Sequence, residues 1–259
     1  MTDFSLTSVL SGLISDPRFP AAVAVACISG VVRGFSGFGS ALIYVPLMAA
    51  IYEPRIAAVT LLITDSVASM PFTIGETRRC NWREVAPVSI AAIATIPIGV
   101  LMLQYLEPVI LRWGIAILVL GLLAVMVSGW RYHVEPAVPV SIGVGLVAGI
   151  GAGAVQISGP AAIIYWLGGP NSAATIRANL MVYFVLLALA SFVIYYLRGL
   201  FTADVLLLSL LLGPVFIVSM ALGAFLFRGS SEHAYRRVAY AIIALSALIS
   251  LPLFDELFR

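Results

Sequence analysis

The sequence predicts an all-α membrane protein of two inverted-topology repeats, each a glycine-broken helical hairpin followed by three full transmembrane helices. Three observations carry this. First, 62% of the 259 residues are hydrophobic and only 10% are charged, where a soluble domain carries about 25% charged residues. The mean hydropathy is +1.10, and no soluble fold of this size hides so much apolar surface, so the solvent is lipid. Second, the uncharged runs come in helix lengths. Third, the two runs too long for one crossing are broken by glycine at matching places.

A crossing takes about 20 apolar residues, so the chain supplies roughly eight to ten with little loop left over. In order, the uncharged runs are 19–32, 34–52, 85–106, 113–130, 136–176, 178–197, 205–227 and 238–254; a further run, 56–75, is interrupted only by Asp65. Residues 19–52 are broken by Arg33-Gly34-Phe35-Ser36-Gly37-Phe38-Gly39. Residues 136–176 would reach about 60 Å as one helix, twice the hydrocarbon thickness. They are broken by Gly149-Ile150-Gly151-Ala152-Gly153 and then Ser158-Gly159-Pro160. Each stretch reads as two half-length helices meeting at a glycine-rich tip. Lipid cannot satisfy the backbone groups freed there, so the tips must be buried in protein or line a wet cavity.

The two broken stretches are related. Gly30-Val31-Val32-Arg33-Gly34 parallels Gly145-Leu146-Val147-Ala148-Gly149, and Gly39 precedes Pro46 by the same interval as Gly153 precedes Pro160. Downstream, 99–112 parallels 223–236, each opening on Gly and closing on Arg. The chain thus divides into a repeat over 1–135 and a repeat over 136–259, together one membrane domain. Breaks at matching places in two halves point to a transporter binding site. The plainer alternative is that the glycines only let helices pack closely, as in Gly-x-x-x-Gly.

Arg78, Arg79 and Arg83 assign the loop 76–84 to the cytoplasmic side, and Arg228, Arg236 and Arg237 assign the loop 228–237 to the same side. Both can lie inside only if the halves are inverted, which puts both termini outside. Arg55, Arg112 and Arg198 fall on the outer side and dilute the signal. Trp82, Trp113, Trp130, Trp166 and the pair Tyr195-Tyr196 lie near span ends and read as an aromatic belt. The opening Met1-Thr2-Asp3-Phe4 has no basic region and is not expected to be a cleaved signal.

Several classes are excluded. A net charge of +2 with no long basic run offers no nucleic-acid surface. All 14 basic residues are Arg; without Lys there is no Schiff-base lysine and no Walker-type loop. Cys27 and Cys80 are too few and too far apart for a metal motif or a disulfide framework, and Cys27 reads as a small packed hydrophobe. His133 and His233 fall in loops, and neither His-Glu-x-x-His nor Gly-x-Ser-x-Gly occurs. No catalytic residues, cofactor or metal are expected. A lipid-phosphate enzyme or flippase and a purely structural membrane subunit are the alternatives from other classes.

Polar residues at membrane depth need a reason. Arg33 has two readings: a bidentate ligand for an oxyanion, or an ion pair with Asp65. Asp65 is the one carboxylate deep in a span; it either pairs with Arg33 or takes up a proton and couples transport. Ser36 and Ser40 at the first tip, and Gln156 and Ser158 at the second, can donate to an anion or bond helix to helix. Gly37, Gly39, Gly151 and Gly153 let an anion approach the backbone. Arg177 and Asn179, at the start of the next helix, complete the candidates, with Arg177 also readable as an interface anchor. Half-helix N-termini add unpaired N–H groups and partial positive charge. The substrate is therefore expected to be a small anion, bound where two opposed tips meet and reachable alternately from each side.

At these residues the chain resembles the TauE/SafE sulfite exporter family, also called the toluene-sulfonate uptake permease family. The resemblance rests on Gly34-Phe35-Ser36-Gly37-Phe38-Gly39-Ser40 leading to Val45-Pro46, on the glycines of 145–159, and on Gly99 and Gly223. It spans essentially the whole chain. It implies a multi-pass secondary transporter of the bacterial inner membrane, moving sulfite, sulfoacetate or another small organosulfonate, with another metabolite anion such as a carboxylate as the alternative. Protons are the candidate coupling ion, and a homodimer is a candidate assembly. Family tips often read Gly-Phe-Gly-Gly-Gly; here Ser40 replaces the last glycine, and Gln156-Ile157-Ser158 diversifies the second half.

Overall fold

The computed structural model describes residues 12–36, 39–73, 76–128, 138–167, 171–227 and 232–253, without the side chains at 35–36, 71–73, 126, 167, 173, 227 and 232–239. Gly37, the side chain of Ser36, His133, Trp130, residues 228–231 and the side chains of His233, Arg236 and Arg237 therefore lie outside the described residues. The described chain runs α1 (Phe19–Ser36), α2 (Ser40–Ile51), α3 (Pro54–Thr73), a 3-10 turn (Glu76–Arg78), α4 (Trp82–Tyr105), α5 (Pro108–Ser128), α6 (Val138–Val155), α7 (Gly159–Leu167), α8 (Ala173–Leu197), α9 (Ala203–Phe227) and α10 (Glu232–Ile249). Five of these, α4, α5, α6, α8 and α9, are long and apolar enough to cross a membrane. This is a membrane protein.

Both expected breaks are present, but they do not divide the hairpins into halves. The leading helices α1 and α6 have 18 residues each, about 27 Å, while α2 has 12 and α7 has 9. Two boundaries also move. α5 starts at Pro108, so Arg112 is inside it, and α10 starts at Glu232, so Arg236 and Arg237 are helical rather than loop. A charge ends an apolar run without ending a helix, because Arg is itself a good helix former.

Two glycine seams organise the packing. Along α1, Gly30 and Gly34 face α9: a Cβ at Gly30 would lie 2.7 Å from the Phe216 carbonyl oxygen, and one at Gly34 would overlap the Met220 carbonyl. Along α6, Gly145, Gly149 and Gly153 face α4, where a Cβ would overlap the carbonyls of Val88, Ala92 and Ile96 in turn. Residue numbers rise together along both seams, so each pair is parallel. Gly223 of α9 and Gly99 of α4 complete the contacts against Val31 and Ile150. Thr95 adds a hydrogen bond to the Leu146 carbonyl across the second seam at 2.9 Å. Only bare backbone allows such approach, and each seam joins a helix before residue 135 to one after it.

The helix ends are tied. At one end of the molecule the backbone N–H of Asn81, the N-cap of α4, donates to Asn179 Oδ1 near the start of α8 at 2.7 Å. Glu84 there accepts from Asn171 Nδ2 at 2.8 Å. At the other end, Gln104 Nε2 donates to the Arg198 carbonyl at 3.0 Å, and Arg55, opening α3, donates to the Leu103 carbonyl at 3.1 Å and to that of Gln104. Hence α4 and α8 run parallel, and α3 runs against both. Arg112 caps the end of α10 through the Ser250 carbonyl at 3.0 and 3.2 Å.

Two apolar cores result. One gathers α1, α2, α5, α9 and α10; the other gathers α4, α6, α7 and α8. Helix α3 feeds both, sending Leu61 into the first and Leu62 into the second. The aromatic belt is only partly as expected. Trp82, Trp113 and Tyr196 are exposed, but Trp166 and Tyr195 are fully buried. Trp166 packs edge-on against Tyr165 and Tyr183, with centroids at 5.8 and 5.5 Å. Cys27 is exposed rather than packed, since it lies off the α1 face that meets α9.

Candidate functional site

Between the two cores lies a cavity of about 80 Å³. The first break contributes Gly39 and Ser40, the second Gln156, Ile157 and Ser158; Arg33 enters from the last turn of α1, Asp65 and Ser66 from the middle of α3, and Phe184 from α8. A water needs about 15 Å³, so the cavity has room for roughly five water-sized atoms.

The first side of the cavity is charged. Arg33 Nε meets Asp65 Oδ1 at 2.7 Å and Nη2 meets Oδ2 at 3.0 Å, a bidentate pair. Nη2 also donates to Ser69 Oγ at 2.9 Å, and Ser40 Oγ donates to Asp65 Oδ1 at 3.2 Å. The Arg33 guanidinium carbon stands 5.7 Å from the Phe184 ring centroid. The Arg33 side chain is 9% exposed and that of Asp65 is 25% exposed, so the carboxylate is the more accessible member. Removing either partner would strand a buried charge.

The second side is neutral. Helix α6 ends with Gln156 in the left-handed region at φ 56, unusual for a residue with a Cβ. Its backbone N–H donates to the Ala152 carbonyl at 3.0 Å, and Ile157 N–H to that of Gly151 at 3.1 Å. The Tyr195 hydroxyl donates to the Gly153 carbonyl at 2.9 Å and accepts from Gln156 Nε2 at 3.1 Å. The Gly151, Ala152 and Gly153 carbonyls near the end of α6, which would repel an anion, are thus occupied by this turn and by Tyr195. Helix α7 then starts at Gly159 with Pro160 in its first turn, where a missing N–H costs nothing. Its N-terminus and that of α2, which follows Gly39 at φ 92, both border the cavity. Partial positive charge from two helix starts is therefore directed to one small volume.

Of the residues expected to bind substrate, Arg33, Gly39, Ser40, Gln156 and Ser158 line the cavity together with Asp65. Gly151 and Gly153 do not line it. A Cβ on Gly153 would overlap the Ile96 carbonyl, and one on Gly151 would overlap that of Ile157. These glycines serve helix packing and turn closure, so the close-packing alternative describes them. Arg177 is exposed and away from the cavity, and Asn179 is fully buried at the distant end, bonded to Asn81. Sequence reasoning missed Ser69, Phe184 and Tyr195. Asp65 and Ser69 stand one helical turn apart, and Phe184, Ala188 and Tyr195 follow the i, i+4, i+11 spacing of one α8 face. That periodicity was the available signal.

Helices of membrane-spanning length surround a small cavity, with broken helices and a buried ion pair on its wall, an arrangement that suits a membrane transport protein. The family described as Sulfite exporter TauE/SafE matches residues 22–249, and the chain belongs to it. Its members are transporters, so this is not an enzyme. A relative from Cupriavidus necator, "Probable sulfite/organosulfonate exporter TauE", is 26% identical over 208 residues, covering 76% of this chain and 78% of the relative. No solved structure matches.

Proposed function

We propose that the chain is a proton-coupled carrier moving a small sulfur oxyanion or organosulfonate across the bacterial inner membrane, with the cavity between the two breaks as its one alternating site. The observation that carries this is the Arg33–Asp65 pair on the cavity wall. The two charges cancel, so an anion entering the resting site meets no net positive charge. Protonating Asp65 loosens the pair and leaves the Arg33 charge, with its donor fork, for the anion. Proton and anion then bind together. The size of the cavity favours sulfite over sulfoacetate, for which the two cores would have to separate.

The same reading takes 1–135 and 136–259 as inverted repeats. Two facts support it: matching seams α1–α9 and α6–α4, and the parallel run of α4 and α8, which sets α4 against its repeat mate α9. The loop 76–84 and the stretch 228–237 are then both cytoplasmic. In a background lacking Cys27 and Cys80, single cysteines at Arg79 and Arg228 should resist an impermeant reagent added to intact cells. Rapid labelling of both would overturn the topology.

The site is tested in proteoliposomes. Asp65→Asn should abolish anion accumulation driven by a pH gradient while anion exchange persists; accumulation that survives makes Asp65 a structural partner only. Arg33→Lys should weaken sulfite binding with folding retained, because the charge stays and the fork is lost. A panel of sulfite, sulfoacetate, taurine and acetate separates sulfur anions from carboxylates.

A further inference from the structure

The neutral side of the cavity specifies something the charged side does not. Tyr195 has one hydroxyl proton, and it goes to the Gly153 carbonyl. Its oxygen can therefore only accept from Gln156, which must turn its NH2 toward Tyr195. The orientation of the Gln156 amide is thus set by the hydrogen-bond chain Gln156–Tyr195–Gly153. The amide carbonyl Oε1 is left over. It has no partner among the described residues, and the space its side chain borders is the cavity. A hydrogen-bond acceptor held at the wall of an anion site repels a bare anion oxygen and is satisfied only by a donor.

We propose that Gln156 is a specificity residue that reads an N–H or O–H donor on the bound anion, with Tyr195 as the residue that positions it. The preferred substrate class is a small monoanion carrying its own donor, a hydrogensulfite or an amino-substituted sulfonate, over a donor-free anion of equal size and charge. The anion oxygens take Arg33 and the helix N-termini; the donor takes Gln156 Oε1. A site built to accept a hydrogen bond rejects the analogue that lacks it, because its own acceptor is then left unpaired. This inference rests on the cavity being the substrate site.

Sulfamate and methanesulfonate test it. They are monoanions of nearly equal shape, and differ in presenting NH2 or CH3 on the same sulfonyl group. Affinity for each is measured by calorimetry on purified protein in nanodiscs, with sulfite as competitor. Wild type should bind sulfamate about tenfold more tightly, the worth of one good hydrogen bond. Gln156→Met keeps an unbranched side chain of similar length on the same left-handed backbone but removes the carbonyl, so the ratio should fall to near one. Tyr195→Phe frees the amide to turn over, so the ratio should fall part of the way, an effect that mere loss of stability would not produce. Equal wild-type affinities for the two anions, or a preference that survives Gln156→Met, would overturn the role of Gln156 and leave the site intact. If neither anion binds nor is displaced by sulfite, the cavity is not the site, and both readings fall together.

Discussion

The two breaks solve one problem with different chemistry. Each ends a long helix at the same cavity and starts a short one there. The first is held by charge: Arg33, Asp65, Ser40 and Ser69 form a network in which a formal cation and anion neutralise each other. The second is held by neutral groups, Gln156, Tyr195 and the α6 carbonyls. The position matching Arg33 in the second half is Ala148, which is buried in the α4–α6 seam. A charge-held tip depends on both formal charges being present, while a neutral one does not. The proposed coupling and recognition roles therefore fall on different breaks.

What the halves share, the glycine seams, should give the largest effects. Gly34→Val and Gly149→Val each drive a branched side chain into a partner backbone that cannot retreat. Neither variant should yield monodisperse protein on detergent extraction and gel filtration. Gly114→Ala is the control: its Cβ meets nothing within 4 Å, and helix propensity alone should make it neutral or more stable by up to about 1 kcal/mol. A well-folded Gly34→Val would mean that the α1–α9 contact is looser than its geometry.

The charged tip comes next. Arg33→Ala leaves Asp65 without its cation and should cost about 3–5 kcal/mol in thermal or denaturant unfolding. Adding Asp65→Asn should recover much of that loss, since an amide needs no counter-charge. Additive effects of the two substitutions would show that the pair is not coupled. By contrast, Tyr195→Phe removes two neutral hydrogen bonds, to the Gly153 carbonyl and from Gln156, and should cost about 2 kcal/mol. Equal costs at the two tips would erase the contrast between them.

How much of this could be read from sequence follows from what each feature depends on. The two breaks were legible because lipid forbids exposed backbone, and glycine runs mark where the rule is met in another way. The Arg33–Asp65 pair was legible as an alternative because deep charges are rare. The role of Gly153 was not. A glycine that admits a ligand and one that admits a helix look alike until the neighbour is known, and the neighbour proved to be Ile96. Tyr195 reads as a belt residue in sequence because it stands next to Tyr196 near a helix end; only the α8 face, which buries one and exposes the other, separates them. Arg55 and Arg112, which diluted the orientation signal, are occupied in capping the ends of α4 and α10. Charge counting cannot distinguish such structural arginines from topological ones.

The smallest expected effect bears on what the neutral tip costs to build. Gln156 sits at φ 56, where a Cβ crowds the following carbonyl by about 1–2 kcal/mol relative to the right-handed region. Gln156→Ala keeps that strain and loses the bond to Tyr195. Gln156→Gly loses the same bond but releases the strain, at the expense of greater freedom in the unfolded chain. The difference between the two variants therefore isolates the backbone, because the lost hydrogen bond is common to both. The Gly variant should be the more stable by about 0.5–1 kcal/mol, as judged by paired denaturant titrations. If Ala is equal or better, the turn is unstrained and nothing is sacrificed to hold Gln156 there. If Gly is better by the expected margin, a straight side chain is retained against the local preference of the backbone, which is what a residue kept for its amide would require.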